Sequence, residues 1–407
     1  VQGESREDLS PCDPIRGVFH LERCCSDSSL ESWYADTFPR FIDRCRDLIV
    51  REAGPDNIEG LFLTGSFASG EGSVLMRDGH PLFLSDLDLV LVVSSRSAHT
   101  ELLSRRIEVG KACEDLIPEA GFEGRIDIGV IMPGELSSMP RSPGVFDMRE
   151  RGVLLCGEKG LLSRLPEFGP DEIGSEEALR LLENRIAVFL GERPDTCTVG
   201  GAGPFRFLYG ISRVYTDIVT ASLCAEGLYR PGYQARAAFL TGSKDASGAR
   251  GRLGESIIGK ASVWTGFKID PSEEGFPDVR KEAGAAWLEA ARDVLHVRDR
   301  IESKGRGRRM RLRDLVRSWN SAAHHLPLRD RLRLQLAAAI SGRDPGADLR
   351  KESVRLMRHA VERGTSGAVR SAPGGFPHRG CSWEEAASRT SSEWRRIVMG
   401  RRDDRGE

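Results

Sequence analysis

The chain has 407 residues, 29 % of them charged and 39 % hydrophobic, with 59 Lys and Arg against 61 Asp and Glu for a formal charge of −2. That balance excludes a wholly disordered chain, and the length predicts two or three domains at roughly 100–200 residues each. No segment approaches the roughly 18 consecutive apolar residues of a membrane helix; the longest such run, LDLVLVV at 87–93, has the length of a strand.

The opening VQGESREDLSPCDP is polar and acidic and is expected to be neither a signal nor a transit peptide. Over 33–49 apolar residues recur at Tyr34, Phe38, Phe41, Cys45 and Leu48, the spacing of one helix face, and Gly54-Pro55 is the expected stop. LFLT at 61–64 reads as a short buried strand running straight into the Gly/Ser-rich turn GSFASGEGS. VLM and PLFL flank RDGH, whose Asp78-Gly79 pair is a hairpin signal. The second arm is expected to continue through Ser85 into DLDLVLVV. A helix follows from about Ser97, with Leu103, Ile107, Gly110, Cys113 and Ile117 on its inner side and Pro118 closing it. RIDIGVIM at 125–132 and GVLLCG at 152–157 read as further strands. Mixed strands and helices with one hairpin predict an α+β fold, a small mixed sheet with flanking helices.

Beyond about Gly160 helical periods dominate, at 175–190, 204–226, 273–303 and 310–325, so all-α helical domains are expected. Gly227 stands where a C-cap glycine would, with Pro231 soon after. The Gly- and Ser-rich stretch 241–259 reads as a loop, as does 364–380, and a last helix is expected to start at a capping box of Ser382 and Glu385. The expected division is 1–160, 161–303 and 304–407.

The near-zero net charge hides an asymmetry. Residues 300–407 carry 25 basic against 13 acidic side chains, a balance of +12, and residues 1–299 carry 34 against 48, a balance of −14. The basic stretch reads either as a solvated, Arg-rich helical surface or as a polyanion site. Arg306, Arg308, Arg309, Arg311 and Arg313 crowd eight positions, too many for one helix face. Trp319, Phe376, Trp383 and Trp394 do not interleave with them as a base-stacking platform would. The nine cysteines are irregularly spaced with no CxxC, and they are expected to be reduced thiols in a cytoplasm. His324 and His325 read as surface residues rather than ligands.

The residues that carry chemistry are Gly65, Ser66, Asp86, Asp88 and Asp127. Asp86 and Asp88, two apart on a strand, are expected to leave the same face, opposite Leu87, Leu89 and Leu91. Paired carboxylates repel unless a cation lies between them. Asp127 is the acid in the middle of the next apolar strand, and it joins the pair if that strand lies alongside; Gly129 on its face leaves room for a ligand. Three carboxylates offer hard oxygens suited to Mg²⁺ or Mn²⁺, and two such ions about 3.5–4 Å apart can clamp a phosphoryl displacement. Gly65 allows backbone approach to phosphate oxygens, and the Ser66 hydroxyl adds a bond. Each part alone is commonplace; a DxD on a strand also serves as an edge-strand solubility device.

Taken together, LFLTGSFASGEG, SDLDLVLVV and RIDIGVI resemble the DNA polymerase beta-type nucleotidyltransferase superfamily over roughly 38–160. The resemblance implies a nucleotidyltransferase fold and metal-dependent transfer of a nucleoside monophosphate from an NTP, ATP by default, to a hydroxyl, releasing pyrophosphate. Nineteen residues separate Ser66 from Asp86, longer than in minimal members, and the RDGH hairpin accounts for the excess. The segment 206–240 is similar to the helical domain of bacterial relatives, with Arg213 and Asp217 at matching places. Their four-residue spacing fits an internal ion pair or a phosphate or acceptor contact. The expected acceptor is a small hydroxylated molecule. A protein hydroxyl, RNA through the basic C-terminal third, and a catalytically silent nucleotide- or RNA-binding module are the alternatives. No membrane partner is expected.

Overall fold

The computed structural model of the protein describes residues 28–118, 120–122, 124–192, 203–272, 279–305, 345–363, 387–388 and 390–392. The helix expected at 310–325, the arginines at 306–313, His324 and His325, the loop at 364–380 and the Ser382–Glu385 capping box lie outside them. The chain falls into two compact units, 1–139 with 144–167 and 140–143 with 168–407. The first is mixed α and β, the second helical.

In the first unit α1 (Ser28–Ser32) runs through a π-helical turn (Trp33–Thr37) into α2 (Phe38–Ala53), which stops at Gly54 with φ +77°. β1 (Ile58–Thr64) leads into the single turn α3 (Gly65–Ala68). The hairpin of β2 (Val74–Arg77) and β3 (His80–Phe83) turns at Asp78 and Gly79, both at positive φ, which matches the twist of its strands. β4 (Leu87–Val93), α4 (Arg96–Glu114), β5 (Gly121–Phe122), β6 (Ile126–Ile131), α5 (Pro133–Leu136), α6 (Pro143–Arg151) and β7 (Val153–Gly157) follow. One sheet has the order β6-β4-β1-β7, with β4 and β6 parallel and the other pairs antiparallel; a second sheet has the order β2-β3-β5.

Two local expectations are corrected. The hairpin's second arm does not continue into β4, because Leu84 N–H and Ser85 N–H both donate to Ser73 O and Gly124 N–H donates to Phe83 O. Those bonds close one ladder, and the chain joins the other sheet at Leu87. In α4, Ile107 is 43 % exposed, while Ala98, Leu102, Val109 and Cys113 are buried. Gly110, Cys113 and Ile117 are buried as expected, and at Gly110 the helix lies so close over β6 that a β-carbon would strike Ile126 O.

Alternation along the strands decides what faces what. Leu61, Leu63, Leu87, Leu89, Leu91, Ile126, Ile128 and Val130 join the buried residues of α2 and α4 in one core. Asp88, Val90, Asp127 and Gly129 therefore point to the opposite face of the sheet.

The helical unit contains α7 (Ser175–Phe189), α8 (Gly203–Cys224), α9 (Tyr233–Gly242), α10 (Ser247–Ile269), α11 (Val279–Gly305) and α12 (Pro345–Arg363). α8 packs against α7, α10 and α11. Its end is the predicted glycine cap: Gly227 has φ +70°, Leu228 N–H reaches Leu223 O at 2.9 Å and Gly227 N–H reaches Cys224 O at 3.0 Å. The loop expected at 241–259 is instead mostly helix. Ala249, Leu253, Ile257, Ile258, Ala261 and Trp264 form a buried stripe along α10 that outweighs the low helix propensity of its glycines. A single break at Gly254, φ +73° and ψ 157°, divides it.

Candidate active site

The first unit brings Gly65, Asp88 and Asp127 together across three strands. Asp88 and Asp127 are register partners on the parallel pair β4 and β6, and Thr64, at the end of β1, pairs with Asp88 from the other side. The Thr64 hydroxyl donates to Asp88 O at 3.3 Å. Gly65 follows at φ +68°, and a β-carbon there would strike Asp88 Oδ2. The turn and the acid strand are thus in direct contact.

Asp86 is placed differently from the expectation. It lies in the link before β4, not on the strand, and its Oδ1 accepts Arg125 N–H at 3.0 Å. Leu87 N–H in turn donates to Arg125 O at 2.7 Å. The entries to β4 and β6 are stitched together at the level of the acids, and Asp86 is oriented by backbone rather than by strand alternation. All three acids are partly exposed.

The turn after β1 is held on its inner side. Phe67 is buried, stacks on Phe38 with centroids 5.4 Å apart, and meets Phe83 at 5.7 Å. Tyr34 Oη donates to Gly72 O at 3.2 Å, and Ser73 N–H donates to the buried Ser85 Oγ at 2.8 Å. Glu71 N–H closes the turn on Ser66 O at 2.7 Å. Gly65 is exposed and Ser66 partly exposed at the rim of this anchored segment.

Sequence reasoning passed over Arg106 and Glu114, both on α4. Burial lowers the pKa of Arg106, and the charge of Asp127 opposes that shift. Glu114 Oε1 accepts Ile126 N–H at 3.1 Å; burial raises its pKa, with the backbone bond pulling the other way. Arg106 stands one helical turn from both Leu102 and Gly110, so a charged residue inside a buried stripe was the available signal.

Among the described residues no group of three or more His, Cys, Asp or Glu side chains is close enough to hold a metal ion. The donor chemistry nevertheless suits a hard divalent cation: two carboxylates share one register position, with a third one residue before the strand. Cys45 and Cys113 are buried free thiols. No helix among the described residues is long and apolar enough to cross a membrane. Comparison of the chain with protein-family models and with curated proteins finds no match.

Proposed function

We propose that the first unit is a nucleotidyltransferase-type fold that transfers a nucleoside monophosphate from an NTP, ATP by default, to a hydroxyl of a small-molecule acceptor. The observation that carries this reading is the pairing of Asp88 with Asp127 on adjacent parallel strands, with the α-carbon of Gly65 against the Asp88 carboxylate. An acid pair at one register is repulsive by itself and becomes favourable around positive charge.

Asp86, Asp88 and Asp127 are the residues that would hold Mg²⁺ or Mn²⁺, which supplies charge stabilisation to the phosphoryl oxygens. Gly65, without a side chain, lets phosphate oxygens approach the backbone, and Ser66 offers a hydroxyl donor. Asp127 takes the proton of the attacking hydroxyl as its oxygen bonds to the α-phosphorus and the bond to pyrophosphate breaks. The anchoring of the turn through Phe67, Tyr34 and Ser85 keeps this geometry fixed, which is the main protein contribution in phosphoryl transfer.

The experiment is incubation of the protein with each labelled NTP, Mg²⁺ and fractions of a cell lysate. Pyrophosphate release with label transferred to one fraction supports the reading and identifies the acceptor class. Nucleotide binding without pyrophosphate release from any fraction favours the silent binding module instead.

A further inference from the structure

The last turn of α4 carries a carboxylate that the proposed chemistry does not use. Glu114 is the final residue of that helix, and it is only partly exposed. Three effects disfavour a negative charge there. Burial raises its pKa, and the charges of Asp115 and Asp127 add to the rise. The last turn of a helix also favours cations over anions. Against them stand one hydrogen bond and one charge. Ile126 N–H donates to Glu114 Oε1 at 3.1 Å, and the charge of Arg125 favours the ionised form.

That bond falls at the edge of the sheet. β6 is an edge strand, with β4 as its one strand neighbour among the described residues. Leu87 N–H donates to Arg125 O, so Arg125 O faces β4 and the backbone polar groups of Ile126 face away from it. There α4 takes the place of a neighbouring strand. Glu114 accepts the Ile126 N–H, and one turn earlier Gly110 lies against Ile126 O, where a β-carbon would strike it. Three consecutive amides are thereby held by three different elements. Gly124 N–H donates to Phe83 O at 2.9 Å, Arg125 N–H to Asp86 Oδ1 at 3.0 Å, and Ile126 N–H to Glu114 Oε1. The first two fix the approach to β6; the third acts on the residue immediately before Asp127.

We propose that Glu114 is a positioning residue for Asp127: by holding the Ile126 amide it sets where the Asp127 carboxylate stands beside Asp88. Ile126 pairs with Leu87 and Asp127 with Asp88, so a shift of Ile126 away from α4 changes the spacing of the two acids. This role rests on the reading of Asp88 and Asp127 as holders of a divalent cation. Groups that orient metal-holding carboxylates govern metal affinity by about 10–100-fold.

The test is calorimetric titration of the full chain with Mn²⁺, together with amide hydrogen exchange at Ile126, on the parent, Glu114→Ala, Glu114→Asp, Glu114→Gln and Asp88→Asn. Glu114→Gln keeps an oxygen that can accept the Ile126 N–H but no charge; Glu114→Asp keeps the charge on a side chain one methylene shorter. The expected result is Mn²⁺ binding to the parent that is about 10–100-fold weaker in Glu114→Ala and Glu114→Asp. Ile126 exchange should be at least about ten-fold faster in both, roughly the loss of one charge-assisted hydrogen bond. Glu114→Gln should restore most of both properties, and Asp88→Asn should lose Mn²⁺ while Ile126 exchange stays as in the parent. Glu114→Asp matching the parent while Glu114→Gln matches Glu114→Ala would assign the effect to charge rather than to the held amide, and overturns the role. Faster Ile126 exchange with unchanged Mn²⁺ affinity makes Glu114 a purely structural residue and overturns it equally, as does unchanged exchange in Glu114→Ala. A parent chain that binds no Mn²⁺ overturns the reading of the acids, and the role of Glu114 with it; the other outcomes overturn that role alone. Should Glu114→Ala not fold, Glu114→Asp carries the comparison.

Discussion

The Asp88 carboxylate lies directly against the α-carbon of Gly65, where any β-carbon would strike its Oδ2. Gly65 also has φ +68°, so two independent constraints demand glycine. Gly65→Ala is expected to cost the first unit about 1–3 kcal/mol through backbone strain and to displace Asp88. Gly129 is the control on the same sheet face. A β-carbon there meets nothing nearer than Leu89 O at 3.7 Å, so Gly129→Ala should change stability by less than about 0.5 kcal/mol. Chemical denaturation compares the two, and equal effects would contradict this account of Gly65.

The acids give a sharper kinetic prediction. Asp86→Asn, Asp88→Asn and Asp127→Asn remove charge with little change of shape. In Asp86→Asn the new amide oxygen can still accept Arg125 N–H, so the entries to β4 and β6 stay stitched. Each variant should fold, and pyrophosphate release should fall by orders of magnitude, since several kcal/mol of charge stabilisation depend on the carboxylates. Near-normal release from all three, with native circular dichroism, would sink the proposed chemistry.

What was legible in the sequence was the part governed by local periodicity. LDLVLVV and IDIGVI alternate, so Asp88 and Asp127 could be placed opposite the core, and the Asp78-Gly79 turn and Gly227 cap carry their own backbone chemistry. What was not legible depends on distant partners. Asp86 left its strand because Ser73 and Arg125 hold the chain around it.

The break in α10 separates backbone strain from packing. Gly254 has φ +73° and ψ 157°, a region open essentially to glycine, yet a β-carbon there meets nothing within 4 Å. Gly254→Ala should therefore destabilise the helical unit by about 1–3 kcal/mol without any clash. Gly259, exposed on the same helix with equally open space, should behave oppositely, with Gly259→Ala stabilising by about 0.5–1 kcal/mol. Thermal melts of the two variants decide this. A stabilising Gly254→Ala would mean that α10 is continuous in solution.

Lys260 ties α8, α10 and α11 together through one carboxylate. Its Nζ lies 2.6 Å from Asp293 Oδ2 and 3.0 Å from Glu289 Oε1, and Tyr215 Oη donates to the same Asp293 oxygen at 2.8 Å. Burial alone would lower the lysine pKa; the bonds to Asp293 and Glu289 outweigh it and raise it above the ordinary 10.5. Burial, reinforced by Asp293, likewise pushes the Tyr215 hydroxyl up, so it remains a neutral donor. For a base, a raised folded-state pKa means that the folded state holds the proton more tightly than the unfolded chain. The resulting stability is fully present below the unfolded value and fades as pH climbs through the folded one. Lys260→Met should accordingly cost about 1.5–3 kcal/mol at neutral pH, the range for hydrogen bonds to charged groups. The gap between parent and variant should stay constant from pH 6 to 9, as the cited direction requires, and narrow only above about 10.5. Urea denaturation across that range checks both statements. A gap that already closes between pH 6 and 9 would show that Lys260 does not hold its proton against Asp293 in the way the 2.6 Å contact implies.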